Sequence, residues 1–320
     1  MTVLTISETA AFLRERNGFS ILTHKNPDGD TLGSAAALCR MLRALGKDAH
    51  VVPNPELSRR YTWLLEGLTR QEVPEEDTVV CVDVAASHLL PDAFLPYLSR
   101  IDLRIDHHGG RDSFSRFELV DAAAGSCTEI LYDLMGALHL TPDPATADAL
   151  YTGLVTDTNG FRSSNATAHS FAVAAACAAA GARTFELGQA LFEVNPMQRL
   201  KLQNWIVRHH RVFAGGRLAL AWIPRSRIRK IGATKDDLDN ILDFPLAVTG
   251  ARLAALLIET EDGKTRLSVR SVPEVDGAKL AAAFGGGGYK TSAGANMTLP
   301  LRKAVKSLET EMLRQFGEWV

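Results

Sequence analysis

Phe19-Ser20-Ile21-Leu22-Thr23-His24-Lys25-Asn26-Pro27-Asp28-Gly29-Asp30-Thr31-Leu32-Gly33-Ser34 reads as a strand, a polar loop and the start of a helix. Phe19 to Leu22 is a short, nearly continuous apolar run, the pattern of a strand buried on both faces of a parallel sheet. The loop after it concentrates an imidazole and two carboxylates. Leu32, Ala35, Ala36, Cys39, Leu42 and Leu45 then recur at helical spacing until Gly46 stops the helix. Strand, loop and helix in that order open a βαβ unit, so the class is α/β, doubly wound on a mostly parallel sheet.

The sequence on either side extends this pattern. Thr5 and Glu8 form a capping box for a first helix. Val51-Val52, Thr78 to Asp83 and Ile101 to Ile105 read as further strands, Ser126 and Glu129 cap a helix through Leu138, and Ala145 to Val155 is helical. From Glu186 to Arg211 the periodicity is helical without strands. Arg217 to Ile223, Ala251 to Glu259 and Thr265 to Ser271 then read as strands, with Asp262-Gly263 as a hairpin turn, and Leu301 to Phe316 is a closing amphipathic helix. The expected organisation is a larger α/β domain over residues 1–185, a helical connector over 186–212 and a smaller α/β domain over 213–320. About two domains is also what 320 residues suggest.

Composition narrows the functional classes. With 46% hydrophobic and 22% charged residues the chain is neither disordered nor fibrous. No apolar run approaches the ~20 residues of a membrane span, and the N-terminus lacks the basic and apolar regions of a secretory signal. Cys39, Cys81, Cys127 and Cys177 are spaced as neither a disulfide framework nor a zinc site, which suits buried thiols in a reducing cytoplasm. The net charge of −2 conceals an asymmetry. Residues 1–198 hold 15 Lys and Arg against 25 Asp and Glu, residues 199–320 hold 20 against 12, and Arg199 to Lys230 has nine basic residues and no acidic one. Solvated helix and strand faces account for such a pattern; so does an acidic half that binds cations beside a basic half that attracts polyanions.

Four segments share one placement, with carboxylates or histidines directly after an apolar element. They are His24 to Asp30, Cys81-Val82-Asp83, Ile105-Asp106-His107-His108 and Thr156-Asp157-Thr158. Open α/β sheets bind ligands at the carboxyl ends of their strands, so the fold should gather these segments on one rim. Asp28, Asp30, Asp83 and Asp157 brought together would repel prohibitively unless cations neutralise them. Carboxylates with one or two imidazoles suit Mn²⁺ or Mg²⁺, and no thiolate is offered to a softer metal. Six such ligands are too many for one ion. They suit a pair sharing one carboxylate about 3.5–4 Å apart, which clamps a phosphoryl oxygen and turns a bridging water into hydroxide at neutral pH. Pro27 fixes a turn, Gly29 supplies unusual dihedrals so that Asp28 and Asp30 face inward, Gly33 lets the helix pack closely, and the helix N-terminus favours anions.

A second feature is Phe284-Gly285-Gly286-Gly287-Gly288-Tyr289-Lys290. Consecutive glycines let backbone N–H groups wrap a phosphate or carboxylate, and the apparent structure on either side argues against a plain linker. Just upstream, Arg270 either grips a phosphate bidentately or forms an ordinary surface ion pair. His209-His210 reads as the surface of the connector helix, with no carboxylate nearby in sequence.

Together these motifs resemble the DHH phosphoesterase superfamily, in its nanoRNase/pAp-phosphatase branch with a DHH-associated C-terminal domain. The likeness covers nearly the whole chain: His24-x3-Asp28-x-Asp30 with Gly33-Ser34, Asp83, Asp106-His107-His108 with Gly109, Asp157-Thr158 followed by Phe161-Arg162, and the distal glycines. It implies His24 and Asp28 on one Mn²⁺, Asp30, His107 and Asp157 on a second, and Asp83 bridging both. It also implies His108 facing the scissile phosphate, Asp106 orienting a histidine, and Arg270 with Gly285, Gly286, Gly287 and Gly288 holding the nucleotide. The chain departs from the family where the glycine run should end in histidine: Tyr289 stands there, followed by Lys290. Tyrosine can donate or stack but cannot become an imidazolium, so the phosphate grip shifts toward Lys290 and Arg270.

The implied activity is that of a cytoplasmic phosphoesterase using two Mn²⁺, with Mg²⁺ or Co²⁺ able to substitute. It would cleave short single-stranded RNA or DNA to mononucleotides and remove the 3′-phosphate of pAp, as a protein compatible with a homodimer and without membrane contact. Two other functions fit the same residues. One is a phosphodiesterase for linear or cyclic signalling dinucleotides, such as pApA or cyclic di-AMP. The other is an inactive nucleic-acid-binding or scaffold relative, from which some of the six metal ligands should be missing; all are present.

Overall fold

The hydroxyl of Thr5 accepts from Glu8 N at 3.2 Å and the Glu8 carboxylate accepts from Thr5 N at 2.8 Å, closing the capping box expected from the sequence. It sits in a computed structural model that describes residues 2–109, 112–234, 236–238, 241 and 250–317. Two units divide the chain, Met1–Val194 and Asn195–Val320. In the first, β1 (Thr2–Val3) precedes the capped helix α1 (Ile6–Arg14). There follow β2 (Gly18–Leu22), α2 (Gly29–Ala44), β3 (Asp48–Val51), β4 (Thr78–Val82), β5 (Ile101–Asp106) and β6 (Phe117–Val120). These strands form one sheet in the order β1-β6-β5-β4-β2-β3, with every pairing parallel. From β2 the chain steps outward to β3, and from β4 it steps the other way to β5 and β6. The direction therefore reverses between β2 and β4, and the crevice at the carboxyl ends of such a switch point is where these sheets bind ligands.

Helices α3 (Cys127–Ala137), α4 (Pro144–Asp157) and α5 (Ala168–Ala179) follow, and short helical turns over Thr184–Gly188 and Gln189–Glu193 end the first unit. Ile21, Val80, Val82, Leu103 and Ile105 from the sheet pack with Leu38, Leu42, Leu131, Leu134, Leu150 and Leu154 from the helices. Each such side chain contributes roughly 1.5–3 kcal/mol of burial free energy. Helices α2 and α4 meet backbone to backbone: a Cβ on Gly33 would lie 2.4 Å from the Ala149 carbonyl oxygen. Close packing at Gly33 is thus what the fold needs. Gly29 differs from expectation. Its φ is outside the left-handed region, and its small size is needed because a Cβ there would lie 2.4 Å from Thr156 Oγ1.

In the second unit, β7 (Arg211–Phe213), β8 (Leu218–Ile223), β9 (Leu253–Glu259), β10 (Thr265–Ser271), β11 (Gly287–Tyr289) and β12 (Ser292–Met297) form a mixed sheet. Its order is β11-β12-β10-β9-β8-β7, with β8 and β9 parallel and the other pairs antiparallel. Strand β8, and β9 up to Ile258, are apolar because both of their faces are covered. Leu218, Leu220, Leu253, Ala255 and Leu257 pack with the closing helix Leu301–Phe316, whereas Ala219, Ala221, Leu256 and Ile258 pack with Leu202 and Ile206 of the helix Met197–Arg208. Strand β10 alternates instead. Leu267 and Val269 enter the first of these cores, and Arg266, Ser268 and Arg270 share the opposite face. All four cysteines are buried and free, and no helix among the described residues is long and apolar enough to cross a membrane.

Candidate metal centre

The sheet delivers one polar group after another to the rim beside the β2/β4 switch point. His24 lies two residues beyond β2, Asp83 directly follows β4, Asp106 closes β5 ahead of His107 and His108, and Asp157 ends α4. Asp83 is in the left-handed region at φ 56°, a conformation that costs a non-glycine residue on the order of 1–3 kcal/mol. Its backbone N–H is anchored to the Ile105 carbonyl at 2.9 Å. This turn aims the two carboxylate oxygens in different directions. Oδ2 accepts from Thr31 Oγ1 at 2.7 Å and lies 3.6 Å from His24 Nε2; Oδ1 lies 3.5 Å from His107 Nε2 and 3.4 Å from His108 Nδ1.

Two donor groups flank Asp83. His24, Asp28 and Asp83 offer atoms within 4.8 Å of one another, and so do Asp30, His107 and Asp157. In the second group His107 Nε2 is 3.8 Å from Asp30 Oδ2 and 3.7 Å from Asp157 Oδ2. Both imidazoles are oriented through the backbone. His24 Nδ1 lies 2.6 Å from the Lys25 carbonyl and His107 Nδ1 lies 3.3 Å from that of Ala124, which turns both Nε2 atoms inward. Metal-ligating histidines are characteristically held this way. Asp106 also offers an oxygen within 4.8 Å of atoms of Asp83, His107 and His108, but its oxygens are engaged by other partners. It is fully buried, ion-paired with Arg104, and its Oδ1 accepts from His108 N at 3.0 Å and lies 2.8 Å from His108 Nδ1.

The surrounding elements hold the acids in place. Asp28 caps α2, with Oδ1 accepting from Asp30 N and Thr31 N at 3.1 Å. These N–H groups serve Asp28, so the expected anion site at this helix start is taken by the chain's own carboxylate. Asp28 is exposed and Asp30 buried, so the two do not face inward alike. Asp30 receives Cys127 N at 2.7 Å and Thr128 N at 3.1 Å, the first turn of α3, while Asp157 Oδ2 accepts from Asn165 Nδ2 at 2.9 Å.

The electrostatics favour added cations. Burial and the neighbouring charges of Asp83 and Asp157 lift the Asp30 carboxyl well above the usual carboxylate range, and burial pushes Asp157 up to about 6. Burial alone would lower both histidines. Instead Asp30, Asp83 and Asp157 push His107 up to about 9, and the hydrogen bond and charge of Asp83, with Asp28, do the same for His24. Asp83 Oδ1 and His107 Nε2 are buried without a hydrogen-bond partner. Buried polar atoms left unpaired at the centre of an oxygen- and nitrogen-rich cluster fit a hard divalent ion that would take the place of those protons.

Sequence reading did not single out Arg104, Thr31, Asn165 or the N-terminus of α3. Arg104 alone carried a signal, as a long cation between the apolar Leu103 and Ile105 in a strand that leads to the His107-His108 pair.

In the second unit Arg270, Gly285 and Gly286 line a cavity of about 520 Å³ with Arg266, Ser268 and Asn296 over a floor that includes Leu256 and Ile258. Arg270 Nη1 donates to Ser292 Oγ at 2.5 Å. Gly287, Gly288, Tyr289 and Lys290 are outside this lining, on or beside the edge strand β11, and Tyr289 is exposed. Two of the four glycines are required by close approach. A Cβ on Gly286 would lie 2.1 Å from the Gly294 carbonyl oxygen, and one on Gly288, at φ 139°, would lie 2.6 Å from that of Ser292. His209 stacks on Trp205 with ring centroids 3.5 Å apart, as part of the packing of its helix.

Two known domain families match most of this chain. Residues 19–154 match the DHH family, N-terminal domain, and residues 212–319 match the DHHA1 domain. The chain thus carries a DHH domain followed by a DHHA1 domain. It is similar to the bifunctional oligoribonuclease and PAP phosphatase NrnA of Thermus thermophilus, 29% identical over 87% of this chain and 83% of the relative. It is similar also to the protein of the same name from Bacillus subtilis, 27% identical over 86% and 87%. A crystal structure of an exopolyphosphatase-related protein from Bacteroides fragilis shares the fold, with a TM-score of 0.86, 22% identity and coverage of 98% of this chain and 97% of that one.

Proposed function

We propose that this protein is a cytoplasmic, metal-dependent phosphoesterase that hydrolyses short oligoribonucleotides to mononucleotides and removes the 3′-phosphate of pAp. The observation that carries the reading is the Asp83 carboxylate, turned by its left-handed backbone so that one oxygen serves the His24 group and the other the His107 group. Support for the substrates comes from the two relatives named for both activities, each matching more than four-fifths of the chain. Four buried, unpaired thiols suit a reducing compartment.

His24, Asp28 and Asp83 would hold one Mn²⁺, and Asp30, His107, Asp157 and Asp83 the other. When bound, the ions would neutralise the carboxylates, polarise a phosphoryl oxygen and acidify bound water. The chain's own groups do the rest. His108, fixed through Nδ1 by Asp106, donates to the phosphate as negative charge develops. Asn165 and the first turn of α3 keep Asp157 and Asp30 directed inward. In this reading residues 1–185 carry the chemistry, and Arg270 with the glycines at 285 and 286 holds a nucleotide phosphate within residues 213–320.

The test is a rate panel with Mn²⁺, Mg²⁺ or Co²⁺ on end-labelled RNA from dinucleotides to decamers, with pAp alongside. Fast cleavage of the shortest RNAs, a decline with length and release of phosphate from pAp are expected. Equal rates on dinucleotides and long strands, or no metal-dependent cleavage, would refute the proposal.

A further inference from the structure

Arg104 is the largest fully buried side chain of the molecule among the described residues, 1% exposed on the strand that ends at the catalytic rim. Two-residue alternation along β5 puts Arg104 on the same face as Asp106, opposite Leu103 and Ile105, which enter the main core. A guanidinium has five donors in a fixed planar fork, and burial makes each unmet donor expensive. Here the fork is used throughout. Nε donates to Asp106 Oδ2 at 3.1 Å and Nη2 contacts the same oxygen; Nη1 donates to the Asp112 carbonyl at 3.2 Å. Nη2 also reaches the carbonyls of Ala85 and His108, at 3.3 and 3.4 Å. One side chain therefore ties the segment after Asp83 to the segment after His107 and fixes one oxygen of Asp106. The other oxygen of Asp106 holds both the backbone N–H and Nδ1 of His108.

We infer that Arg104 is a positioning residue for catalysis, acting chiefly through Asp106 to set the ring orientation of His108, while its ion pair with Glu118 at 3.7 Å helps to hold the guanidinium in place. The inference rests on the role given to His108 above. A carboxylate with both oxygens engaged cannot rotate, so the imidazole bonded to it keeps one orientation. Without the guanidinium, Asp106 Oδ2 loses its partner, the carboxyl is free to turn toward the Ala85 and Asp112 side, and the His108 ring loses the constraint that Asp106 places on it. The metal-binding atoms of His24, Asp28, Asp30 and Asp157 make none of these contacts.

A double-mutant cycle on dinucleotide hydrolysis at saturating Mn²⁺ separates this role from a structural one. Arg104→Gln should lower kcat by about 10- to 100-fold with little change in KM, the usual cost of losing an outer-shell partner. In a His108→Ala background the same substitution should cost little, because the group it positions is gone. The number of Mn²⁺ bound should stay as in the unmodified protein in every variant. Arg104→Lys, which keeps the charge on Asp106 but cannot span the carbonyls, should recover part of the loss and carries the cycle if the glutamine variant is not folded. Equal losses of kcat in both backgrounds would overturn the inference. So would loss of bound Mn²⁺ on changing Arg104, or failure of both variants to fold. An unmodified protein without phosphoesterase activity would instead refute the proposed function.

Discussion

Gly33→Ala tests whether the contact between α2 and α4 sets the spacing of the metal ligands. A Cβ at position 33 would lie 2.4 Å from the Ala149 carbonyl oxygen, against 3.4 Å for an ordinary contact, so about 1 Å must be gained by separating the helices. The obstacle is backbone, which cannot rotate away. Overpacking of this kind costs roughly 1–3 kcal/mol, while replacing a helical glycine with alanine returns roughly 0.5–1 kcal/mol. With a rigid obstacle the upper half of the cost applies, leaving a net loss of about 1–2.5 kcal/mol. For a unit of this size that lowers the melting temperature by about 2–10 °C. Asp28 and Asp30 start α2 and Asp157 ends α4, so the same separation should weaken Mn²⁺ binding by about tenfold or more. The control is Gly136→Ala on α3, where nothing lies within 4 Å of the added atom; it should be neutral or slightly stabilising. Thermal melts in chelator and Mn²⁺ titration by calorimetry read both effects. A Gly33→Ala protein that melts and binds Mn²⁺ like the unmodified chain, or behaves like the Gly136 variant, would show that the contact does not set the site.

Asp83→Asn should reduce hydrolysis to background while leaving the metal-free melt within a few degrees of the unmodified protein, checked by activity and circular dichroism. Mn²⁺ affinity should fall as pH is lowered from about 9, because His107 and His24 are each pushed up to about 9 and must give up a proton to ligate. Calorimetry in buffers of different ionisation enthalpy should register that proton release, and binding without it would contradict the charge balance described. At Mn²⁺ one hundred times its dissociation constant, ligand linkage adds about 2.7 kcal/mol and should raise the melting temperature of the first unit by about 5–11 °C over chelator. In the second unit Gly286→Ala should disrupt the β11–β12 hairpin, because the added atom would meet the Gly294 carbonyl at 2.1 Å, whereas Gly287→Ala, with nothing within 4 Å, should not. Proteolysis across residues 284–297 distinguishes the two.

The strand–loop–helix at Phe19 to Ser34 was legible because hydrophobic periodicity and loop chemistry change at the same residues. The four polar segments after apolar elements foretold which side chains would share a rim. Other features depend on tertiary contacts that periodicity does not encode. Gly29 looks like a residue needed for its dihedrals, yet the fold uses it to make room for Thr156. The left-handed turn at Asp83 gives no local signal, since the preceding strand reads straight through it. Asp30 finds its backbone donors nearly a hundred residues away, on α3. The glycine run was visible as structured, but the demand on Gly286 and Gly288 comes from β12, which lies later in the chain. Arg104 shares one face of β5 with Asp106, and its burial is accounted for only once Asp106, Glu118 and the loop carbonyls of Ala85 and Asp112 are assembled around it.

Crystals grown with Mn²⁺ and measured at the manganese edge give the most direct test. Two anomalous peaks per chain are expected, one contacted by His24 and Asp28, the other by Asp30, His107 and Asp157, with an oxygen of Asp83 on each. A single peak, a pair that leaves Asp83 uncoordinated, or no peak at saturating Mn²⁺ would contradict the account.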